Sequence, residues 1–212
     1  YVDDTGTSVF DIDDGANGGA NNDGIADWFD VAAIGNDTDT DLDTRIGRSV
    51  NSSGGLQVAT DNDFTSAQAG SRTALTNGQY LVWGHDGASI SALQSTDVDA
   101  TTYAGRIQRE WKVENSGNVG AVHLKFNGIA ALGTGQTYVL LVDTDGDFSS
   151  GATQLALSDT DTFNNVSFAS GTRYFTVAFI DNIVEFSIDV DSDNENVGGN
   201  IPTLYILGEL AN

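Results

Sequence analysis

The chain has 212 residues, with 31 acidic against eight basic side chains, a formal net charge of −23, no Cys, no Met and one Pro. Such a balance excludes nucleic-acid and anionic-membrane binding, which need a basic face, and the missing Cys excludes disulfides, zinc–thiolate sites and thiol chemistry. No apolar run approaches the roughly 18 residues of a membrane helix, so no membrane insertion is expected.

Residues 1–50 hold almost half of the Asp and few apolar side chains. They read as a calcium-binding segment packed on, or extending, a β-sandwich domain over 51–212. Within the segment a strand is expected at 7–12 and a short amphipathic turn at 25–34, with metal ligation replacing a core. From Gly55 onward strand-like stretches recur at 56–60, 80–84, 106–114, 121–127 and 138–142. Residues 106–114 alternate, with Ile107, Arg109, Trp111 and Val113 on one side. Val122, Leu124 and Phe126 alternate inward, leaving His123 and Lys125 outward. The run Tyr138-Val139-Leu140-Leu141-Val142 is apolar throughout, as in a strand covered on both faces. A hairpin is expected from 173–180 and 183–190, and a closing strand at 203–210. With 25 Gly and no helical period, the pattern indicates an all-β fold, an antiparallel β-sandwich (jelly-roll or immunoglobulin-like) with calcium-binding loops.

The acid is 26 Asp and only five Glu, gathered in clusters. Short carboxylates at alternating positions, broken by Gly, suit a hard cation taking six to eight oxygens at about 2.3–2.6 Å. A solvated halophilic surface would spread its acid and use Glu freely. The first candidate set is Asp11, Asp13, Asp14, Asn17, Asn21, Asp23, Asp27 and Asp30, with Trp28 and Phe29 arguing against a disordered linker. In the second, Asp37, Asp39, Asp41 and Asp43 would all point to one side of an extended strand, which requires a cation. Asp143, Asp145 and Asp147 leave a core strand directly into a turn. A last set is expected from Asp189, Asp191 and Asp193. The cofactor expected is therefore calcium, as several ions.

Four stretches resemble a module of large bacterial surface and matrix proteins. They are 55–64 (Gly-Leu-Gln-Val-Ala-Thr-Asp-Asn-Asp-Phe), 78–87 (Gly-Gln-Tyr-Leu-Val-Trp-Gly-His-Asp-Gly), 106–113 (Arg-Ile-Gln-Arg-Glu-Trp-Lys-Val) and 140–148 (Leu-Leu-Val-Asp-Thr-Asp-Gly-Asp-Phe). The resemblance spans about 55–190 and implies an exported all-β module of uncharacterised biochemistry, with no catalytic residue to carry over. It also implies a cross-loop cation set of Asp61 and Asp63 with Asp86. Residues 21–30 separately resemble one thrombospondin type 3 calcium repeat, with Asn at two early positions and no Cys.

His85-Asp86 near Ser89 and Ser91 suggests a hydrolase, but no G-x-S-x-G elbow is present. His85 is expected to fix a turn instead. Trp83, Trp111, Tyr80, Tyr138 and Phe126 could pave a sugar-binding face, but their inward phase assigns them to the core. Arg109, in phase with Trp111, is expected to pair with a buried Asp. With no Met, Tyr1 is read as following a removed signal peptide or lying inside a longer chain; both fit export to the cell surface. The sequence thus points to a non-enzymatic, calcium-stabilised structural or adhesive module. Expected partners are copies of itself or neighbouring modules, through strand addition by the ends at 1–10 and 201–210, and a glycan or peptide ligand. The rival readings are a calcium-dependent carbohydrate- or peptide-binding module and, third, a secreted hydrolase.

Overall fold

The computed structural model describes residues 10, 28–49, 51, 55–66 and 72–182. They belong to a compact unit of residues 1–182; residues 183–212 form a second unit outside the described residues. Among the described residues there is no helix. In chain order the strands are β1 (Phe29–Asp37), β2 (Leu42–Thr44), β3 (Ile46–Arg48), β4 (Leu56–Ala59), β5 (Gln79–His85), β6 (Leu93–Gln94) and β7 (Gly105–Ile107). There follow β8 (Trp111–Ser116), β9 (Ala121–Phe126), β10 (Gln136–Asp143), β11 (Thr153–Ser158), β12 (Thr162–Ser167) and β13 (Gly171–Asp181).

Two antiparallel sheets pack as a sandwich. The larger runs β11-β10-β13-β8-β5-β1-β2, with β6 and β7 joined beside β13, and the smaller runs β12-β9-β4-β3. Between them lies one core, built from Leu81, Trp83, Trp111, Val113 and Phe175 of the larger sheet and Leu56, Val58, Leu124, Phe126 and Phe163 of the smaller. Trp111 stacks on Phe175 with centroids 5.5 Å apart and meets the edge of Phe126 at 5.2 Å, geometries aromatic rings prefer. This places Trp83, Trp111, Tyr138 and Phe126 in the core, as their phase indicates.

The other face of the larger sheet is also covered. Val82, Val139, Leu141, Tyr174 and Ala178 form a second core with Phe10, Trp28, Val98 and Phe148 from outside the strands. Strand β10 therefore sends Tyr138 and Leu140 to one core and Val139 and Leu141 to the other. That is the physical meaning of its uninterrupted apolar run. At the crossing of the two sheets Gly47 is packed so closely that a Cβ there would lie 2.4 Å from the Ala33 carbonyl oxygen, so no larger residue fits without moving backbone.

Several elements differ from the sequence-based expectation. Residues 29–37 form a strand of the larger sheet rather than an amphipathic turn, because Ala32 and Ile34 find a partner strand in β5. The alternating stretch 106–114 is two strands, not one. It breaks because the Gln108 and Arg109 N–H groups donate to the carbonyls of Ala92 and Ser89 instead of to the sheet. Strands β11 and β12 carry no clean alternation, since each contains a bulge. In β11 the register slips at Leu155, and in β12 both Asn164 and Asn165 oppose His123, with Asn165 at φ 57°. The expected strands at 7–12, 183–190 and 203–210, and the chain ends proposed for strand addition, lie outside the described residues, apart from Phe10.

Candidate functional site

Of the candidate ligands, Asp11, Asp13, Asp14, Asn17, Asn21, Asp23, Asp27, Asp189, Asp191 and Asp193 lie outside the described residues. Asp30 is at the start of β1 with φ 54°, and its Oδ2 accepts from His85 Nε2 at 2.8 Å. The Gly87 N–H donates to His85 Nδ1 at 2.9 Å, so the ring proton sits on Nε2 and the imidazole is neutral. Burial lowers the His85 pKa, Arg109 lowers it further, and Asp30 acts against both. Both ring nitrogens are thus committed to holding the turn after β5.

Asp86, in that turn, receives the Ala88 N–H at 3.0 Å, and burial raises its pKa. Arg109 is 5% exposed. Its Nε donates to the Ala88 carbonyl at 2.7 Å, and the charges of Asp86 and Asp30 support its cation against burial, which lowers its pKa. Against the expectation of a buried Asp partner, Arg109 feels the charges of two half-buried carboxylates, Asp86 and Asp30. Lys112, also buried, has its ammonium 5.4 Å and 5.7 Å from the ring centres of Phe10 and Trp28.

The four alternating residues Asp37, Asp39, Asp41 and Asp43 do not lie on one extended strand. Asp37 ends β1 and Asp43 lies in β2, with a four-residue turn between them in which Asp41 takes φ 60°. Asp37 Oδ1 accepts from the Asp39 N–H at 2.9 Å, an Asx turn, and the Thr40 side chain is the largest influence lowering its pKa. Asp43 is held in a two-point pair by Arg45, at 2.9 and 2.7 Å. Asp61 pairs with Arg72, while Asp63 accepts the N–H groups of Thr65 and Ser66. Those contacts, with the Ser66 side chain foremost, hold the Asp63 carboxyl well below the usual carboxylate range. The structure gives Asp61 and Asp86 different partners.

The turn after β10 is built differently. Asp143 is 6% exposed, and its Oδ1 accepts from the Asp145 N–H at 2.7 Å and the Gly146 N–H at 3.2 Å. Asp145 Oδ1 accepts from the Asp147 N–H at 3.0 Å, and Asp147 Oδ1 from the Ser149 N–H at 2.9 Å. These chained turns bring carboxylates against one another. Burial and then the facing Asp145 carboxyl raise the Asp143 pKa. Asp147 in turn adjoins Asp97, whose pKa burial raises and the Arg106 pair lowers. Asp97 also accepts the Phe148 N–H at 3.1 Å and so ties the turn to a distant loop. Sequence reasoning missed Asp97, although Asp97-Val98-Asp99 repeats the alternating pattern. Among the described residues no group of three His, Asp or Glu side chains is placed to hold a metal ion.

A family described as a domain of unknown function, DUF8202, matches residues 1–172. The chain belongs to that family. No curated protein and no solved structure matches it. The family's matched span takes in the whole β10 turn, the His85–Asp30 pair and every described strand but most of β13. No described helix is long and apolar enough to cross a membrane.

Proposed function

We propose that this chain is a structural or adhesive β-sandwich module of an exported bacterial surface or matrix protein, stabilised by calcium. The observation that carries this reading is the β10 turn, where Asp143 and Asp145 face each other and Asp147 adjoins Asp97. Four carboxyl groups there share one cationic side chain, Arg106, which is paired with Asp97. A divalent ion would remove the repulsion and complete its shell with backbone carbonyls and water, as oxygen-ligated calcium does. On this reading Asp143, Asp145 and Asp147 hold it, and since they do not stand as a three-ligand group in the structure, binding draws their carboxylates together.

The ion's role in this reading is stability. Binding to the folded state alone raises the folding free energy with free calcium. His85, with both nitrogens committed to Asp30 and Gly87, is a positioning residue for the β5 turn, which supports the non-enzymatic reading. The test is thermal unfolding of chelated protein against added calcium, with magnesium as control. A midpoint that rises with calcium and little with magnesium supports the proposal. Stability that follows bulk salt alone would overturn it.

A further inference from the structure

The two outer faces of the sandwich carry opposite provisions for charge. Most of the eight basic residues are accounted for: Arg45, Arg72 and Arg106 pair with Asp, Arg109 lies near Asp86 and Asp30, and Lys112 lies over aromatic rings. Arg173 donates to the Thr172 carbonyl. The side chains of Arg48 and Lys125 have no ion-pair or hydrogen-bond partner among the described residues.

These two share a row. In the smaller sheet Arg48 lies opposite Gln57, Gln57 opposite Lys125 and Lys125 opposite Thr162. Directly opposed residues of neighbouring strands share a face. Their neighbours along the strands, Leu56, Val58, Leu124 and Phe126, fill the inter-sheet core, so the row is on the outer face. Arg48 and Lys125 stand two strand spacings apart, about 10 Å. In a chain of charge −23, the pair of cations without an acid lines up on one open polar surface.

Concave surface flanks Arg48 on both sides. A cavity of about 330 Å³ is lined by Arg48, Gln57, Phe64, Thr65 and Ser66. A second, of about 1080 Å³, is lined by Arg48, Gln57, Ser49, Asn51 and Asn127 and also by the Asp30 carboxylate and apolar residues of β1 and β4, Ala32 and Leu56 among them. Ligand sites are concave and combine a ring or apolar surface with a few placed polar groups. In the smaller cavity the ring is Phe64 and the polar groups are the Gln57 amide, the Thr65 and Ser66 hydroxyls and the Arg48 guanidinium; the larger adds the amides of Asn51 and Asn127 and the carboxylate of Asp30.

We propose that this row and its two grooves bind a carboxylated polysaccharide, with carboxylates at Arg48 and Lys125 and a sugar face against Phe64. Arg presents a planar fork that matches a carboxylate at two points. The amides of Gln57, Asn51 and Asn127 suit sugar hydroxyls, and a sugar ring covers an aromatic face. An Asp-rich loop of a second copy would use the cations but not the ring or the amides. The remote Asp clusters and the Asp30 carboxylate of the larger groove oppose any polyanion. At physiological ionic strength, however, screening acts over about 8 Å and leaves Arg48 and Lys125, neither of which is paired with an acid among the described residues, to hold the carboxylates.

The inference deepens the proposed function and rests on its adhesive reading for a setting. It does not involve calcium at the site. The test is affinity electrophoresis at physiological ionic strength and fixed calcium. Hyaluronan and polygalacturonate serve as carboxylated probes, dextran as the neutral one and polyaspartate as the polyanion. Retention by a carboxylated glycan, not by dextran or polyaspartate, is expected, with Arg48→Gln and Lys125→Gln each weakening it about tenfold. Phe64→Ala weakens it too. The unfolding midpoint and calcium response of Arg48→Gln and Lys125→Gln stay unchanged. Wild-type protein that ignores both carboxylated glycans while responding normally to calcium overturns this inference alone. Equal retention by polyaspartate, or a loss of self-association rather than glycan binding in Arg48→Gln, also overturns it.

Discussion

The turns after β1 and β10 carry the same alternating aspartates, yet they manage charge in different ways. In the first, Asp37 folds its carboxylate back onto the turn and Asp43 is clamped by Arg45 two residues on. In the second, Asp143, Asp145 and Asp147 also fold back onto the turn, but the basic side chain that reaches the loop, Arg106, goes to Asp97. Alternating Asp is therefore a turn-forming pattern first: Asp37 and Asp143 cap N–H groups two and three residues on, and Asp145 and Asp147 the one two residues on. On the proposed calcium reading, the turn that takes an ion is the one to which the fold returns no cation.

Several experiments break or sharpen that contrast. The largest expected effect removes the scaffold both turns share. Trp111→Ala should cost about 3–5 kcal/mol in urea unfolding, with or without calcium, because Trp111 fills the inter-sheet core and touches no turn carboxylate by hydrogen bond or ion pair. Next, Asp143→Ala combined with Asp145→Ala should abolish the calcium response, about 2.7 kcal/mol at a hundredfold excess over Kd. Asp39→Ala with Asp41→Ala should leave it intact; the reverse result would invert the comparison.

A finer experiment uses chelated protein. Asp143→Asn should raise the melting midpoint by on the order of a degree or two, because burial and the facing Asp145 carboxyl both disfavour the Asp143 charge that it removes. Asp43→Asn should lower the midpoint by leaving Arg45 with a weaker partner. Matching shifts in the two variants would show that the turns are electrostatically alike.

The smallest effect is the pH dependence of the β5 turn. The folded His85 pKa lies below its ordinary 6.5. As pH falls through 6.5 the unfolded chain takes up a proton that the folded one refuses, so stability present above that pH declines toward the lower folded value. His85→Gln should flatten the slope between pH 7 and 5 in denaturant titrations. An unchanged slope would remove His85 as its source.

How far the sequence led can be judged strand by strand. The regular alternation of β9 and the doubly apolar β10 were readable because each side chain there meets the surface its phase demands. Strand β1 was hidden by the acid around it, and β11 and β12 by bulges that break the two-residue period. The site was readable as aspartate clusters but not as separate electrostatic situations. Arg45 stands two residues from Asp43, while the link of Asp147 to Asp97 exists only once residues 50 positions apart meet. Spacing along the chain records which groups could cap a turn, not which distant charge arrives beside it.

The bulges have a consequence for crowding. Among the described residues the outermost strands are β2, β11 and the two-residue β6 in the larger sheet, and β3 and β12 in the smaller. Strands β2 and β3 are three residues long, too short to template much pairing, and β11 and β12, six residues each and uncharged, are the two that slip register. A foreign strand laid along either would meet a comb of donors and acceptors with one tooth out of place. Such edges disfavour a continuous ribbon between copies that touch along the described strands.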